Sequence, residues 1–179
     1  MNLLDTLNNI IKVEGTYSDH PSDKGGPTMY GVTEQVARSY GYHGAMQDLP
    51  RETAIAIYTR RYWINPKLDQ VASISEPIAE ELLDTGINMG QATAIKFLQR
   101  ALNVLNKQTS QYPDISVDGG IGPMTLFVLK RYLTLRGKAG ETVLLRMLNA
   151  QQSVRYIEIA ERNPNQEDFM FGWQNARVA

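Results

Sequence analysis

The sequence predicts a mainly α-helical protein with one small β element, and three observations carry that expectation. Apolar residues recur at helical spacing in several stretches, most clearly at Ala94, Phe97, Leu98, Ala101, Leu102 and Leu105. Prolines stand where helices begin, at Pro50, Pro77 and Pro123. One short run, Met29-Tyr30-Gly31-Val32-Thr33, joins aromatic and β-branched residues to turn formers, the pattern of a small hairpin.

In chain order, Leu3, Leu4, Leu7, Ile10 and Ile11 make a helical stripe over 2–13 that stops at Glu14-Gly15, so a carboxylate is expected at a helix C-terminus. Residues 15–33 are dense in Gly, Pro, Ser, Asp and Thr and read as a turn-rich loop with a β element near 28–33. Thr33 can cap the next helix. Pro50 suits the first turn of a helix carrying Ala54, Ile55, Tyr58, Tyr62 and Trp63, and Pro77 starts another with Ile78, Leu82, Leu83 and Ile87 on one side. After Gly90 comes the firmest stripe, then a polar loop over 106–122. Two more helices follow, about 123–136 and 140–162, set apart by Gly137 and Gly140. The tail Phe169-Met170-Phe171-Gly172-Trp173 is aromatic where chain ends are usually polar, so it is expected to dock.

Composition narrows function by exclusion. With 179 residues, 42% hydrophobic and 21% charged, the chain is ordinary for a globular protein and can bury a sizeable core. A formal net charge of -1, with basic residues scattered, gives no attraction to nucleic acid. Cysteine is absent, which removes disulfides, thiolate zinc sites and cysteine nucleophiles. His20 and His43 are the only two histidines, too few for a closed zinc set, and the calcium-like run from Asp114 to Thr125 lacks the closing glutamate. No metal and no cofactor are expected. The opening residues have neither a basic n-region nor a continuous apolar stretch, so neither a signal peptide nor stable membrane insertion is expected.

The chemistry concentrates between Glu14 and Thr33, where one glutamate, Asp19, Asp23 and several hydroxyls sit among glycines and prolines. Cleaving a glycosidic bond takes a protonated carboxylic acid at the leaving oxygen and a second carboxylate to steady the oxocarbenium-like state or direct water. Glu14 suits the acid role, because the negative end of a helix dipole and desolvating neighbours both favour a protonated carboxyl. The glycines let a polymer approach the backbone. Against this stands the plainer reading, a solvated helix end followed by turn-forming aspartates.

The runs Glu14-Gly15-Thr16-Tyr17, Asp19-His20-Pro21, Gly25-Gly26-Pro27-Thr28 and Tyr30-Gly31-Val32-Thr33 resemble the signature of glycoside hydrolase family 108. Thr16 stands where the family usually has glycine, and His20 separates the aspartate from its proline. The resemblance implies a lysozyme-like fold and an N-acetylmuramidase of the endolysin type, with Glu14 catalytic and Asp19 and Asp23 both open as the second carboxylate. By analogy with the wider lysozyme superfamily, where an aspartate and a threonine face the glutamate from a hairpin, Asp23 is preferred and Thr28 is the matching threonine. Asp19, Thr28, Tyr30 and Thr33 are then expected to contact substrate. Asp84 and Asn88, four apart on one helix face, are expected to line the groove.

Asn88-Met89-Gly90, Ala94 to Leu102 and Val117 to Thr125 are similar to the peptidoglycan-binding segment that accompanies this hydrolase. The expected division is a catalytic part over 1–88 and a wall-binding helical part over 89–179, packed on the first, with the loop from Asp118 to Thr125 holding the wall. Peptidoglycan is the expected partner. The resemblance also implies cytoplasmic storage and holin-dependent release to the periplasm or cell wall. The alternative is a non-catalytic peptidoglycan-binding or structural phage protein.

Overall fold

A computed structural model of the chain describes residues 3–14, 17–18 and 26–178. Packing divides it into two compact units, Met1–Asn65 and Pro66–Ala179. Mainly helical architecture with one two-stranded antiparallel sheet bears out the expected fold class.

In the first unit, helix α1 (Leu3–Glu14) carries Asp5 in its first turn, where the dipole favours an acid, and buries Leu7 and Ile11 one turn apart. They join Val32, Ala37, Met46, Leu49, Ala54, Ile57 and Tyr58 in one core. Each such side chain withdrawn from water contributes roughly 1.5–3 kcal/mol. Strands β1 (Thr28–Met29) and β2 (Val32–Thr33) pair Thr28 with Thr33 and Met29 with Val32. The connecting Tyr30 and Gly31 both have positive φ, 54° and 73°, as a two-residue hairpin turn demands. Glycine tolerates this; tyrosine does so under strain, and the Tyr58 hydroxyl donates to the Tyr30 carbonyl at 2.9 Å to hold it.

Helix α2 (Glu34–Ser39) is capped by Thr33, whose Oγ1 accepts from the Val36 amide at 3.3 Å. Helix α3 (Arg51–Thr59) has Pro50 as its cap residue, one place before the helix, and ends sooner than the periodicity suggests. Tyr62 and Trp63 lie in a wider π-turn, Arg60–Ile64, closed by the Asn65 amide donating to the Arg60 carbonyl at 2.9 Å. Tyr62 still stacks on Tyr58, with centroids 5.8 Å apart.

The second unit opens with a short helix that the sequence does not announce, α4 (Leu68–Ala72), and continues with α5 (Glu76–Met89) and α6 (Gln91–Val104). Ser75 caps α5 through its hydroxyl, which places Pro77 in the first turn, and Gly90 with φ 92° makes the bend into α6. α5 packs on α4, α6 and α7 (Pro123–Arg162). α7 breaks at Gly137, where φ is 58° and ψ −148°. Gly140, expected to share in that break, is instead helical and buried. The Tyr132 hydroxyl donates to its carbonyl at 2.9 Å, and a Cβ there would collide with Arg136.

The tail forms α8 (Glu167–Arg177), and only part of it docks. Trp173 is half-buried and stacks on Tyr156 at 4.8 Å and on Phe169 at 5.9 Å. Phe171 is 82% exposed. Trp173 and Phe169 are four apart and share a helix face; Phe171, two residues from each, points elsewhere.

Candidate functional site

Glu14 is the last residue of α1, at the negative end of its dipole. Its side chain, and the whole of Asp19 and Asp23, lie outside the described residues. Tyr17, Ser18 and the chain from Gly26 onward are the described residues nearest to them in sequence. Ser18 pairs antiparallel with Thr28 through both backbone bonds, the Ser18 amide donating to Thr28 at 3.0 Å and the Thr28 amide to Ser18 at 2.8 Å. Thr28 therefore has Ser18 on one side and Thr33 on the other. Four residues of chain span at most about 14 Å, so the Glu14 Cα stands within that reach of the Ser18 pairing. Asp19 and Asp23 fall, in sequence, between the anchored positions Ser18 and Thr28.

The expected contact residues of the hairpin divide by what already occupies them. Thr28 is half-buried, and both its backbone amide and its carbonyl are bonded to Ser18, with Thr33 opposite it across the hairpin. Tyr30 packs on the core of the first unit and gives its carbonyl to Tyr58. The hydroxyl of Thr33 caps α2. Tyr17, beside Ser18, is 41% exposed.

Asp84 and Asn88 belong to α5, in the second unit. The Asp84 carboxylate accepts from Gln152 Nε2 at 3.0 Å, a bond from α7, while Asn88 Nδ2 folds back onto the Asp84 carbonyl at 2.7 Å. Gln152 is wholly buried, so its amide gives Asp84 a packing role within this unit. One turn before Thr85 sits Glu81, which the sequence reading passed over. Burial pushes its pKa up from 4.5 to about 7, the hydrogen bond from Thr85 Oγ1 at 3.1 Å opposes the shift, and the nearby Asp84 charge adds to it. The signal was available: Ile78, Leu82 and Thr85 mark the buried face of α5, and Glu81 lies beside it.

The loop expected to hold the wall is tied to α6 through Gln99, although Asp118 and Gly120 themselves are exposed. Gln99 is 1% exposed, and its Nε2 donates to Asp118 Oδ1 at 2.9 Å, to the Gly120 carbonyl at 3.0 Å and to Thr125 Oγ1 at 3.3 Å. Its Oε1 accepts from the Gly119 amide at 2.9 Å. These bonds, with the Gly120 amide, hold the Asp118 carboxyl below the usual carboxylate range. Asp114 is engaged likewise by Asn106 Nδ2 at 2.6 Å. Gly119 has φ 80° and lies so close to Ala92 that a Cβ would approach its backbone to 3.0 Å. The loop is thus clamped onto α6.

Residues 7–90 match the family Glycosyl hydrolase 108, and residues 93–178 match the Predicted Peptidoglycan domain. That seam falls at the Gly90 bend, between α5 and α6, whereas packing divides the chain after Asn65. Helices α4 and α5 thus go with the hydrolase by sequence family and with the second unit by packing. Among curated proteins none matches the chain. Among solved structures it is similar to Brucella abortus SagA, at 22% identity and a TM-score of 0.60, over 97% of this chain and 87% of that one. At this identity the likeness speaks for the fold.

Proposed function

We propose that this chain, whose residues 7–90 belong to the glycosyl hydrolase 108 family and whose residues 93–178 form a predicted peptidoglycan domain, is an endolysin-type lysozyme. It is a glycoside hydrolase acting on peptidoglycan. The bond we assign is the β-1,4 link between N-acetylmuramic acid and N-acetylglucosamine. The supporting observation is that Glu14 ends α1 four residues before the Ser18–Thr28 pairing. This ties a carboxylic acid at a helix terminus to a small sheet, with two further carboxylates between the paired strands in sequence.

In this reading Glu14 gives its proton to the leaving glycosidic oxygen as the C–O bond breaks. Asp23, with Asp19 as the rival, steadies the positive charge that develops on the sugar or directs the water that attacks it. The water supplies hydroxide to the sugar carbon and returns a proton to the carboxylate pair. Thr28 and Tyr30 border the approach, while Asp84 and Asn88 serve the packing of α5. Residues 1–88 are the catalytic part and 89–179 the wall-binding part. Among the described residues no helix is long and apolar enough to cross a membrane, and holin lesions would give the enzyme its route to the wall.

Digestion of sacculi by the unaltered chain and by Glu14→Gln, read by mass spectrometry of the released muropeptides, tests the assignment. Reducing-end N-acetylmuramic acid from the unaltered chain alone is the expected result. Reducing-end N-acetylglucosamine would reassign the bond, and full release by Glu14→Gln would move the acid elsewhere.

A further inference from the structure

Helices α6 and α7 border a groove of about 490 Å³ within the second unit, and its lining is unlike the rest of that unit. Three cations meet there, Lys96, Arg100 and Arg155, against one carboxylate, Glu158. Lys96 and Arg100 are exposed, four apart on one face of α6, and neither forms an ion pair among the described residues. Arg155 is held by Glu158 at 2.8 Å, and Lys96 also feels Asp118, whose carboxyl is already engaged by Gln99. Positive charge is therefore left over at the rim. Between the cations the walls are aliphatic: Val117 is 40% exposed and Val154 54%.

A further feature lies at the wall. Gln151 spends its Nε2 on the Phe97 carbonyl at 3.0 Å and the Met147 carbonyl at 3.2 Å. Its Oε1 is sealed from solvent and has no partner among the described residues. Gln151 is thus committed to holding α6 and α7 together at the base of the groove. The groove calls for carboxylates and small aliphatic groups together. Phe97, its one aromatic lining residue, is only 8% exposed, so no ring is free for a sugar to stack on.

We propose that this groove holds the carboxylate-bearing stem peptide of peptidoglycan, with Lys96, Arg100 and Arg155 reading its carboxylates and the valines receiving its alanine methyls. The assignment rests on the wall-binding reading of residues 93–178 and names the part of the polymer they grip. Arginine is suited to this because its planar fork matches a carboxylate in two-point geometry.

The test is retention of the full chain on sacculi in the cold, at several salt concentrations, with three preparations. These are intact sacculi, sacculi stripped of stems by an amidase, and sacculi freed of phosphate polymers by hydrofluoric acid. The unaltered chain should bind intact and phosphate-free sacculi alike, and stripped sacculi at least tenfold more weakly. Lys96→Glu/Arg100→Glu, both at exposed positions, should keep the helical circular dichroism and the melting temperature of the unaltered chain. It should bind intact sacculi at least tenfold more weakly, with a shallower salt dependence. Equal retention on intact and stripped sacculi, or unchanged retention of the variant, overturns the groove. Loss that follows phosphate removal instead of stem removal overturns it too. Retention of the unaltered chain on none of the preparations would bring down the wall-binding reading itself, and the groove with it.

Discussion

Several acids of the second unit have named partners, and the acids proposed for chemistry belong to the first, so the two units can be compared carboxylate by carboxylate. In the second unit five acids have named hydrogen-bond partners, Asp114 and Asp118 among them although they are exposed. Asp84 is met by Gln152, Glu81 by Thr85, Asp114 by Asn106, Asp118 by Gln99, and Glu141 by Ser75 and Lys138. Most of those partners are neutral amides and hydroxyls delivered from another helix turn or another element, and Gln99 and Gln152 are buried polar groups that find their acceptors this way. In the first unit Glu14, Asp19 and Asp23 belong to a stretch of sequence rich in glycine and proline that leads into the two-residue strands β1 and β2. Glycine-rich sequence of this kind lets a polymer approach the backbone, which suits the cleavage proposed for it. The lesson is that an acid held by a named amide or hydroxyl, whether in a helix stripe as Asp84 is or in a glycine-rich loop as Asp118 is, serves the fold, so a glycine-rich setting alone does not mark a catalytic acid.

The strongest way to break this contrast is to neutralise the candidate acid. Glu14→Gln keeps the shape of the side chain and removes its proton. Turnover on sacculi should fall by about 10²–10⁴-fold, the usual contribution of a general acid, while the melting temperature stays near that of the unaltered chain. Asp23→Asn and Asp19→Asn, assayed beside it, should differ from each other, the true second carboxylate giving the larger loss. If all three variants keep full release of muropeptides, the first unit is not the seat of chemistry.

The next effect belongs to the second unit and should leave chemistry alone. Gln99 makes four hydrogen bonds from a site 1% exposed, so Gln99→Ala orphans the Gly119 amide, the Gly120 carbonyl and the Thr125 hydroxyl together. A loss of roughly 2–4 kcal/mol is expected in urea unfolding, within the range for breaking a buried network. Turnover measured well below the unfolding midpoint should hardly change. Stability equal to the unaltered chain would mean that the loop from Asp118 to Thr125 is not clamped by Gln99 and is free to touch the wall.

What the sequence made legible follows the same line. The helix stripes, Thr33 as a cap, the hairpin near 28–33 and the break at Gly137 were readable because each depends on neighbours within a few residues. Pro50 and Pro77 were read one place off, since a proline tolerates both the cap position and the first turn, and Ser75 was the better marker. The π-turn at Arg60–Ile64 and the clamp on Asp118 were not legible, because both depend on contacts that a local pattern does not encode. Gly90, read as a boundary from its position between two stripes, is where the two family matches meet, and it is also a bend between two helices that pack on each other, while the compact units part after Asn65.

Glu81 sharpens the contrast through pH. Its folded pKa, about 7, lies above the 4.5 of the unfolded chain, so the folded state favours the protonated acid. The stability this gives is fully present below pH 4.5 and is lost as pH rises toward 7. Glu81→Gln mimics the protonated form at every pH. It should match the unaltered chain near pH 4 and exceed it by about 2 kcal/mol near pH 8, a figure set by the size of the shift and reduced by the solvent that still reaches the carboxyl. Urea midpoints at the two pH values measure the difference. A variant less stable at pH 8 than the unaltered chain would show that the ionised carboxylate is wanted there, and Glu81 would join the catalytic candidates.

The smallest effects divide the tail. Trp173 is half-buried and stacked on Tyr156 at 4.8 Å, so Trp173→Ala removes both the burial and the ring contact. Because the ring keeps part of its surface in water, the loss should lie near 1–2 kcal/mol, below the 3–5 kcal/mol of a fully buried aromatic. Phe171 is 82% exposed on the other side of α8, and Phe171→Ser should change stability by less than about 0.5 kcal/mol. The pair is informative because the two rings are two residues apart on one helix and equally apolar in sequence. If Phe171→Ser leaves the melting temperature alone but weakens retention on sacculi, then the ring touches the polymer, and wall contact extends beyond the cationic groove to the end of the chain. If it changes neither, α8 is a packing element held by Trp173 and by the bonds between Gln174 and Ser153, and the division between gripping and folding within the second unit runs between the groove of α6 and α7 and the tail that packs on Tyr156.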